Sequence, residues 1–272
     1  MTIPLVVGVD GSKAGLEAVD WAVIEAIRQD VPLHILHAAA DEHAASDVIA
    51  AASARAREDA PGVRLSSEVS YEDAASALID VGRNAFAVVL GSRGIGDLAG
   101  LLLGSVGLAV AARAVCPVVV VRGTAEHRDG RFGSIVVGVK DEESSITALR
   151  FAFREAQVRN CRLVAMHAWS APPSACTTPQ APSWPLEAHL RPPAQVLDDT
   201  LRLVGTRYRN APVCRQLVEK PARQALLEAA SEVDLLIVGA HPRLVHRGLQ
   251  LGLVNHALLH HAPCPIAVVP QL

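Results

Sequence analysis

The chain repeats itself, and that repeat constrains its fold more than any other feature of its 272 residues. "LVVGVDGS" at 5–12 returns as "IVVGVKDE" at 135–142, "LHILHAA" at 33–39 as "RLVAMHAW" at 162–169, "AVVLGSRG" at 87–94 as "LLIVGAHP" at 235–242, and "AVCPVVVVRG" at 114–123 as "APCPIAVVPQ" at 262–271. The order is the same in both copies, so one architecture built twice is expected. The offset grows from 130 residues for the first two pairs to 148 for the last two, which places about eighteen extra residues inside the second copy. They fall in "SAPPSACTTPQAPSWPLEAHLRPP", residues 170–193, whose seven prolines oppose both continuous helix and sheet pairing and predict a loop. The polar stretch between the copies reads as a linker. The expected organisation is a first domain at 1–123, a linker at 124–132, and a second domain at 133–272 that carries the Pro-rich insertion.

Within a copy, strand and helix alternate. Residues 4–9 form a continuous apolar run, as a strand covered on both faces requires, and the segment after it sets Leu16, Val19, Val23, Ala26 and Ile27 on one helical stripe. Strands are predicted at 32–38 and 63–69, helices at 45–59 and 71–84, and "AFAVVLG" and "CPVVVVR" complete five strands. Short connections of this kind demand right-handed crossovers. The predicted fold class is therefore α/β: two tandem copies of a five-stranded, mostly parallel, doubly wound sheet with helices on both faces.

Composition narrows the partners. The formal charge of −3, from 25 basic and 28 acidic residues, offers no broad cationic footprint, and aromatic residues make up only 3% of the chain, so nucleic acid is not expected. The apolar stretch from Leu98 to Val121 has the length of a membrane span but is broken by Arg113 and Cys116-Pro117, and a strand-like run follows at once. No membrane partner is expected. Five cysteines, Cys116, Cys161, Cys176, Cys214 and Cys264, form no CxxC pair, and no signal-peptide pattern is evident, which reads as a reduced cytoplasmic protein.

In such a sheet, ligands bind beyond the carboxyl ends of the strands, where the strand order reverses. Three segments should meet there in the first copy: Asp10, Ala38, and the stretch "GSRGIGDLAGLLLGS" at 91–105. Its glycines stand as Gly91-x2-Gly94-x9-Gly104-Ser105, and a helix is predicted from Ser105 to Arg113. Glycine lets a ligand approach the backbone closely, and the free N–H groups of a helix start collect anionic oxygen. Ser105 adds a hydroxyl and Val106 a backbone donor, so a polyphosphate is the expected tenant. There is no Gly-Lys-Ser/Thr phosphate loop, and "DGSKAG" after the first strand is not a G-x-G-x-x-G turn.

The segments "VGVDGS", "LHA", "GSRGIGDLAGLLLGS" and "CPVVVV" resemble the universal stress protein family of the ATP-binding type, and the likeness extends over both halves, as in tandem-domain members. The resemblance implies ATP across the strand ends and a pseudo-dimer in which the last strands of the two copies pair. It places Asp10 near the ribose or the metal-phosphate region, the Ala38 backbone against adenine, and Gly91 beside the ribose. Gly94, Gly104, Ser105 and Val106 would surround the phosphates, with Ser92 and Arg93 in the same loop. Asp10 is also the candidate contact to a Mg²⁺ carried by ATP, and a helix cap is a compatible role for it.

The second copy departs from this pattern. Lys140 stands at the place of Asp10, Pro242 at that of Gly94 and Leu253 at that of Ser105, while Gly239 and Gly252 are kept. The expectation is one good ATP site per chain. The competing reading is a remodelled anion site using Lys140, His241, Arg243, His246 and Arg247. His256 and His260 are four apart on a predicted helix without a zinc framework around them, and Cys116 and Cys264 read as packing residues.

No separate catalytic base accompanies Asp10, so no catalytic residues are assigned and hydrolysis, if present, should be slow. The expected function is an ATP-binding stress-response regulator in which occupancy of the first domain controls conformation or association with a regulatory protein partner, the chain itself forming a homo-dimer. The alternatives are a slow Mg-dependent ATPase and a scaffold that docks a client on the Pro-rich insertion.

Overall fold

A computed structural model describes residues 3–39, 42–94, 103–170, 191–205, 208, 212–240 and 251–271. The first half runs β1 (Leu5–Val9), α1 (Lys13–Gln29), β2 (Leu33–Ala38), α2 (Glu42–Asp59), β3 (Leu65–Ser70), α3 (Ala74–Gly82), β4 (Ala87–Gly91), α4 (Ser105–Arg113) and β5 (Val118–Val121). After α5 (Ala125–Arg128) the second half follows with β6 (Ser134–Gly138), α6 (Glu142–Arg159), β7 (Arg162–Trp169), α7 (Pro193–Gly205), β8 (Val213–Glu219), α8 (Ala222–Ala229), β9 (Leu235–Ala240), α9 (Leu253–His261) and β10 (Ile266–Pro270).

The two expected five-stranded sheets are joined edge to edge by their last strands, the pairing that the resemblance implied. The strands form a single ten-stranded sheet in the order β3-β2-β1-β4-β5-β10-β9-β6-β7-β8. Every pair is parallel except β5 with β10, which run antiparallel with Val119 opposite Ala267. Pairing the two last strands satisfies edges that would otherwise present unpaired N–H and C=O groups to water. The central strands are apolar without alternation and buried, Leu5, Val6 and Val7 among them, because helices cover both faces. One apolar core collects α1, α2, α6 and α7, and the other collects α3, α4, α8 and α9. At the outer edges, β3 and β8 instead expose polar residues such as Glu68 and Arg215.

Local signals explain the helices nearest the strand ends. Ser12 caps α1 in an extended conformation and accepts from the Gly15 N–H at 3.0 Å, and Asp30 ends the helix in the left-handed region. Asp10, read from the sequence as a possible cap, instead accepts the Ser12 N–H on Oδ1 at 3.0 Å. The buried arc of α1 is centred on Ala18, Ala22 and Ala26 and reaches Glu25 and Gln29, because the helix packs both on the sheet and against α6. Ile27, assigned to the core stripe from its spacing, falls outside that arc and is exposed.

At the α1–α6 contact the repeat places Glu25 opposite its counterpart Glu155, both buried. Arg159 binds both carboxylates, and the Gln29 amide donates to each at 2.9 Å. Burial, and then the charge of Glu25, push the Glu155 carboxyl up to about 8.

The linker is more ordered than a polar stretch suggests. His127 is buried, and its ring nitrogens meet the Thr124 hydroxyl at 2.8 Å and the Ser231 carbonyl at 3.2 Å. Asp234 then accepts the Phe132 and Ser134 N–H groups and fixes the start of β6. Of the Pro-rich insertion, 171–190 lie outside the described residues. Its last proline, Pro193, opens α7, a position where a missing N–H costs nothing.

Candidate functional site

Beyond the carboxyl ends of β1, β2 and β4 lies a cavity of about 440 Å³. Of the residues singled out in the sequence, Asp10, Ala38, Gly91, Arg93, Gly94, Gly104, Ser105 and Val106 line it. Ser92 does not. Its N–H donates to Val121 O at 3.1 Å and its carbonyl accepts from Gly104 N at 3.0 Å, so it holds the root of the glycine loop to the sheet and to the start of α4. The Gly104 amide is thereby engaged within the protein.

Donors for an anion therefore come from the next residues. Gly104 caps α4 in an extended conformation without a side-chain cap, which leaves the first-turn amides of Ser105, Val106 and Gly107 without carbonyl partners in the helix. All three residues line the cavity. The Ser12 hydroxyl donates to Arg93 O at 3.3 Å and so ties the α1 start to the loop. Asp10 closes the same end: a Cβ on Gly94 would lie 2.6 Å from its Oδ2, and a Cβ on Gly15 would lie 3.0 Å from its Oδ1. Bare backbone at these two positions makes room for the carboxylate.

The opposite end is apolar, with Leu36, Ala38, Ala74, Leu78 and Leu90 around it. Gly8 permits this, since a Cβ there would meet Leu90 at 2.6 Å and Leu78 at 2.9 Å. The shape is that of a ligand pocket of ordinary size, apolar with a few convergent polar groups. Sequence reading missed Gly8, Gly15 and Gly107. The repeat carried the signal for two of them, because Ser145 replaces Gly15 at the 130 offset and Asn255 replaces Gly107 at the 148 offset.

The matching cavity of the second half holds about 180 Å³. Asn255 lines it and its Nδ2 donates to Gly239 O at 2.8 Å, so a side chain stands where Gly107 has none. Ser145 Oγ accepts the Lys140 N–H at 3.0 Å, in the space that Gly15 leaves to Asp10. Leu253, in place of Ser105, is 92% exposed and outside the lining. Pro242, His241, Arg243, His246 and Arg247 lie outside the described residues.

The pair Gly91 and Gly239 behaves alike in both halves. A Cβ on Gly91 would meet Ala14 O at 2.5 Å, and one on Gly239 would meet Ser144 O at 2.5 Å. Each lets a strand end pass close to the helix beside it, which is a packing role that survives the change of pocket. Likewise His37 Nδ1 donates to Val9 O at 2.7 Å and His167 Nδ1 to Val139 O at 2.9 Å, pinning corresponding strand ends. Burial raises the Cys116 thiol to about 11 and the Cys264 thiol to about 12, so neither is a thiolate at neutral pH. The His256 and His260 rings lie 4.5 Å apart, tilted by 38°, and burial followed by the neighbouring imidazoles lowers the His260 pKa. Among the described residues, no group of three or more His, Cys, Asp or Glu side chains is placed to hold a metal ion. No described helix is long and apolar enough to cross a membrane.

Comparison with known proteins agrees with the fold. The model of the universal stress protein family matches residues 1–60, 38–122 and 131–270. A universal stress protein of Mycobacterium tuberculosis is 32% identical over 290 residues, covering 98% of this chain and 97% of its own. One of Mycolicibacterium smegmatis is 30% identical, with 97% and 96% covered. Among solved structures, a universal stress protein from Archaeoglobus fulgidus superposes with a TM-score of 0.67 at 16% identity over the whole of both chains, a likeness of fold. With two copies of the fold, three matched segments and full-length relatives, the chain belongs to the universal stress protein family.

Proposed function

We propose that the first half binds ATP and that its occupancy controls conformation or association with a regulatory partner, making the chain a nucleotide-responsive stress protein. The observation that carries this reading is a single cavity with an apolar end large enough for a base and an opposite end where the Ser105, Val106 and Gly107 amides of α4 converge beside Gly94. Adenine would lie against Leu36, Ala38 and Leu78, the ribose near Gly91, and the phosphates on the α4 start with Ser105 Oγ and Arg93. Amides at a helix start suit a polyphosphate because they add hydrogen bonds to the favourable end of the helix dipole.

The single carboxylate of Asp10 fits one role toward a metal. It would take one site on a Mg²⁺ that arrives on the phosphates, as such ions are usually held by one or two carboxylates together with the nucleotide. When bound, the ion would neutralise phosphate charge. No described side chain stands ready as a separate base, which favours binding over turnover. The division into a binding domain at 1–123 and a second domain at 133–272, a homo-dimer of the whole chain and a cytoplasmic setting belong to the same proposal.

Calorimetric titration of the whole chain with Mg-ATP tests it. One equivalent should bind per chain, and Gly94→Asp should abolish it by setting a second carboxylate against Asp10. Failure to bind ATP, or an unchanged isotherm in that variant, overturns the reading.

A further inference from the structure

The repeat separates two kinds of histidine. His37 and His167 stand at matching strand ends, and each spends its Nδ1 on a strand carbonyl, so they belong to the fold. His256, His260 and His261 differ. At the 148 offset their places in α4 are held by Leu108, Ala112 and Arg113, so the architecture itself does not call for imidazoles there.

His256 and His260 are four apart on α9 and therefore share one face of the helix. Two imidazole nitrogens about 2.0–2.1 Å from one ion, at neighbouring corners of its shell, put their ring centres about 4.5–5 Å apart. The separation of 4.5 Å meets that requirement. Among the described residues, His260 Nε2 is buried without a hydrogen-bond partner, and a polar atom so placed calls for a donor or an ion. Burial first, then His256, His261 and Arg122, hold this imidazole toward its neutral form, the form that ligates.

The Arg122 guanidinium is engaged elsewhere: it donates to the carbonyls of Leu259 and His260 and so closes the C-terminal end of α9. Its charge still opposes a second cation, which leaves the place to ions that bond strongly to imidazole. Hard Mg²⁺ and Ca²⁺ prefer oxygen and do not suit it. The His261 ring centre is 6.2 Å from that of His260, outside the spacing of the pair.

We infer that α9 carries a two-imidazole site, His256 with His260, for a late first-row divalent transition ion, copper(II) ahead of nickel(II) and zinc(II). That order is the one nitrogen ligands impose. Two protein ligands leave the other positions to water, so the ion is exchangeable and its role is not that of a closed structural centre. The site is independent of the nucleotide reading of the first half.

The test titrates copper(II) into the full chain without nucleotide, after alkylation of the exposed thiols, and measures affinity by competition with a chelating dye. One equivalent should bind, and pulsed electron paramagnetic resonance, which detects the remote nitrogen of a bound imidazole, should show two imidazoles. His256→Gln and His260→Gln should each weaken binding by about a hundredfold, because a second ligand on the same frame acts as an intramolecular contact. Each should leave one imidazole in the spectrum. His256 is exposed, so its variant keeps the fold and carries the test if urea unfolding shows that His260→Gln does not. The pair His241→Gln and His246→Gln controls for histidines elsewhere and should leave the affinity unchanged. The inference is overturned if the bound ion shows fewer than two imidazoles, if His256→Gln leaves the affinity unchanged, or if the control pair lowers it as much as His256→Gln does.

Discussion

The two cavities share a floor and differ at the mouth. Five apolar positions correspond across them, whereas Asp10, Gly15, Ser105 and Gly107 face Lys140, Ser145, Leu253 and Asn255. The glycines divide along the same line. Gly8 with Gly138 and Gly91 with Gly239 are retained because a Cβ at each would press on a leucine or a carbonyl of the same fold. Gly15 and Gly107 are replaced once the mouth changes. The second half thus separates glycines kept for packing from Gly15 and Gly107, whose bare backbone leaves room for the Asp10 carboxylate and keeps the α4 start open.

This division can be broken by experiment. The largest effect is expected from moving the second mouth into the first half: Gly107→Asn with Ser105→Leu should weaken ATP by at least a hundredfold, about 2.7 kcal/mol, measured by calorimetry. A Cβ on Gly107 meets only the flexible tip of Leu103 at 3.2 Å, so the fold should survive and the loss should be one of binding. If ATP affinity holds, the mouth has been wrongly assigned.

Next in size are Gly91→Ala and Gly239→Ala. Each forces a Cβ against a backbone carbonyl, and urea unfolding should show a loss of about 1–3 kcal/mol in both, the range for overpacking. A loss in one half only would end the claim that this pair is common packing.

A smaller effect concerns the seam. Because the folded Glu155 carboxyl is raised to about 8 from its ordinary 4.5, the folded chain holds a proton that the unfolded chain releases between these values. That contribution to stability is present in full below about pH 4.5 and is lost as pH rises through about 8. Glu155→Gln should flatten this slope in pH-dependent unfolding, while Glu25, on the other side of the pair, keeps Arg159 paired. Smallest of all, a thiol reagent at pH 7.5 should label the exposed Cys214 and leave Cys116 and Cys264 intact until the chain unfolds.

Much of this was legible in the residues. Continuous apolar runs marked the buried strands, and Gly104-Ser105 marked the α4 start, because period and glycine placement are local properties. What escaped depended on partners far along the chain. Ile27 has core spacing, but the positions of the sheet, α2 and α6 together decide which arc of α1 is covered. Ser92 sits within the loop yet turns inward, because Val121 O and the Gly104 amide claim its backbone. The linker reads as polar, while its His127 is buried by contacts to Ser231, 104 residues away. Gly107 had no local mark at all; its meaning appears only beside Asn255.

The antiparallel join of β5 and β10 has a spatial consequence. Strands on its two sides point in opposite directions, so the carboxyl ends of one half lie at the edge of the sheet where the amino ends of the other half lie. The two chambers therefore open like doors on opposite sides of one wall. An opening at one end has no view of the other, and any influence of one chamber on its counterpart would have to cross the masonry of shared strands.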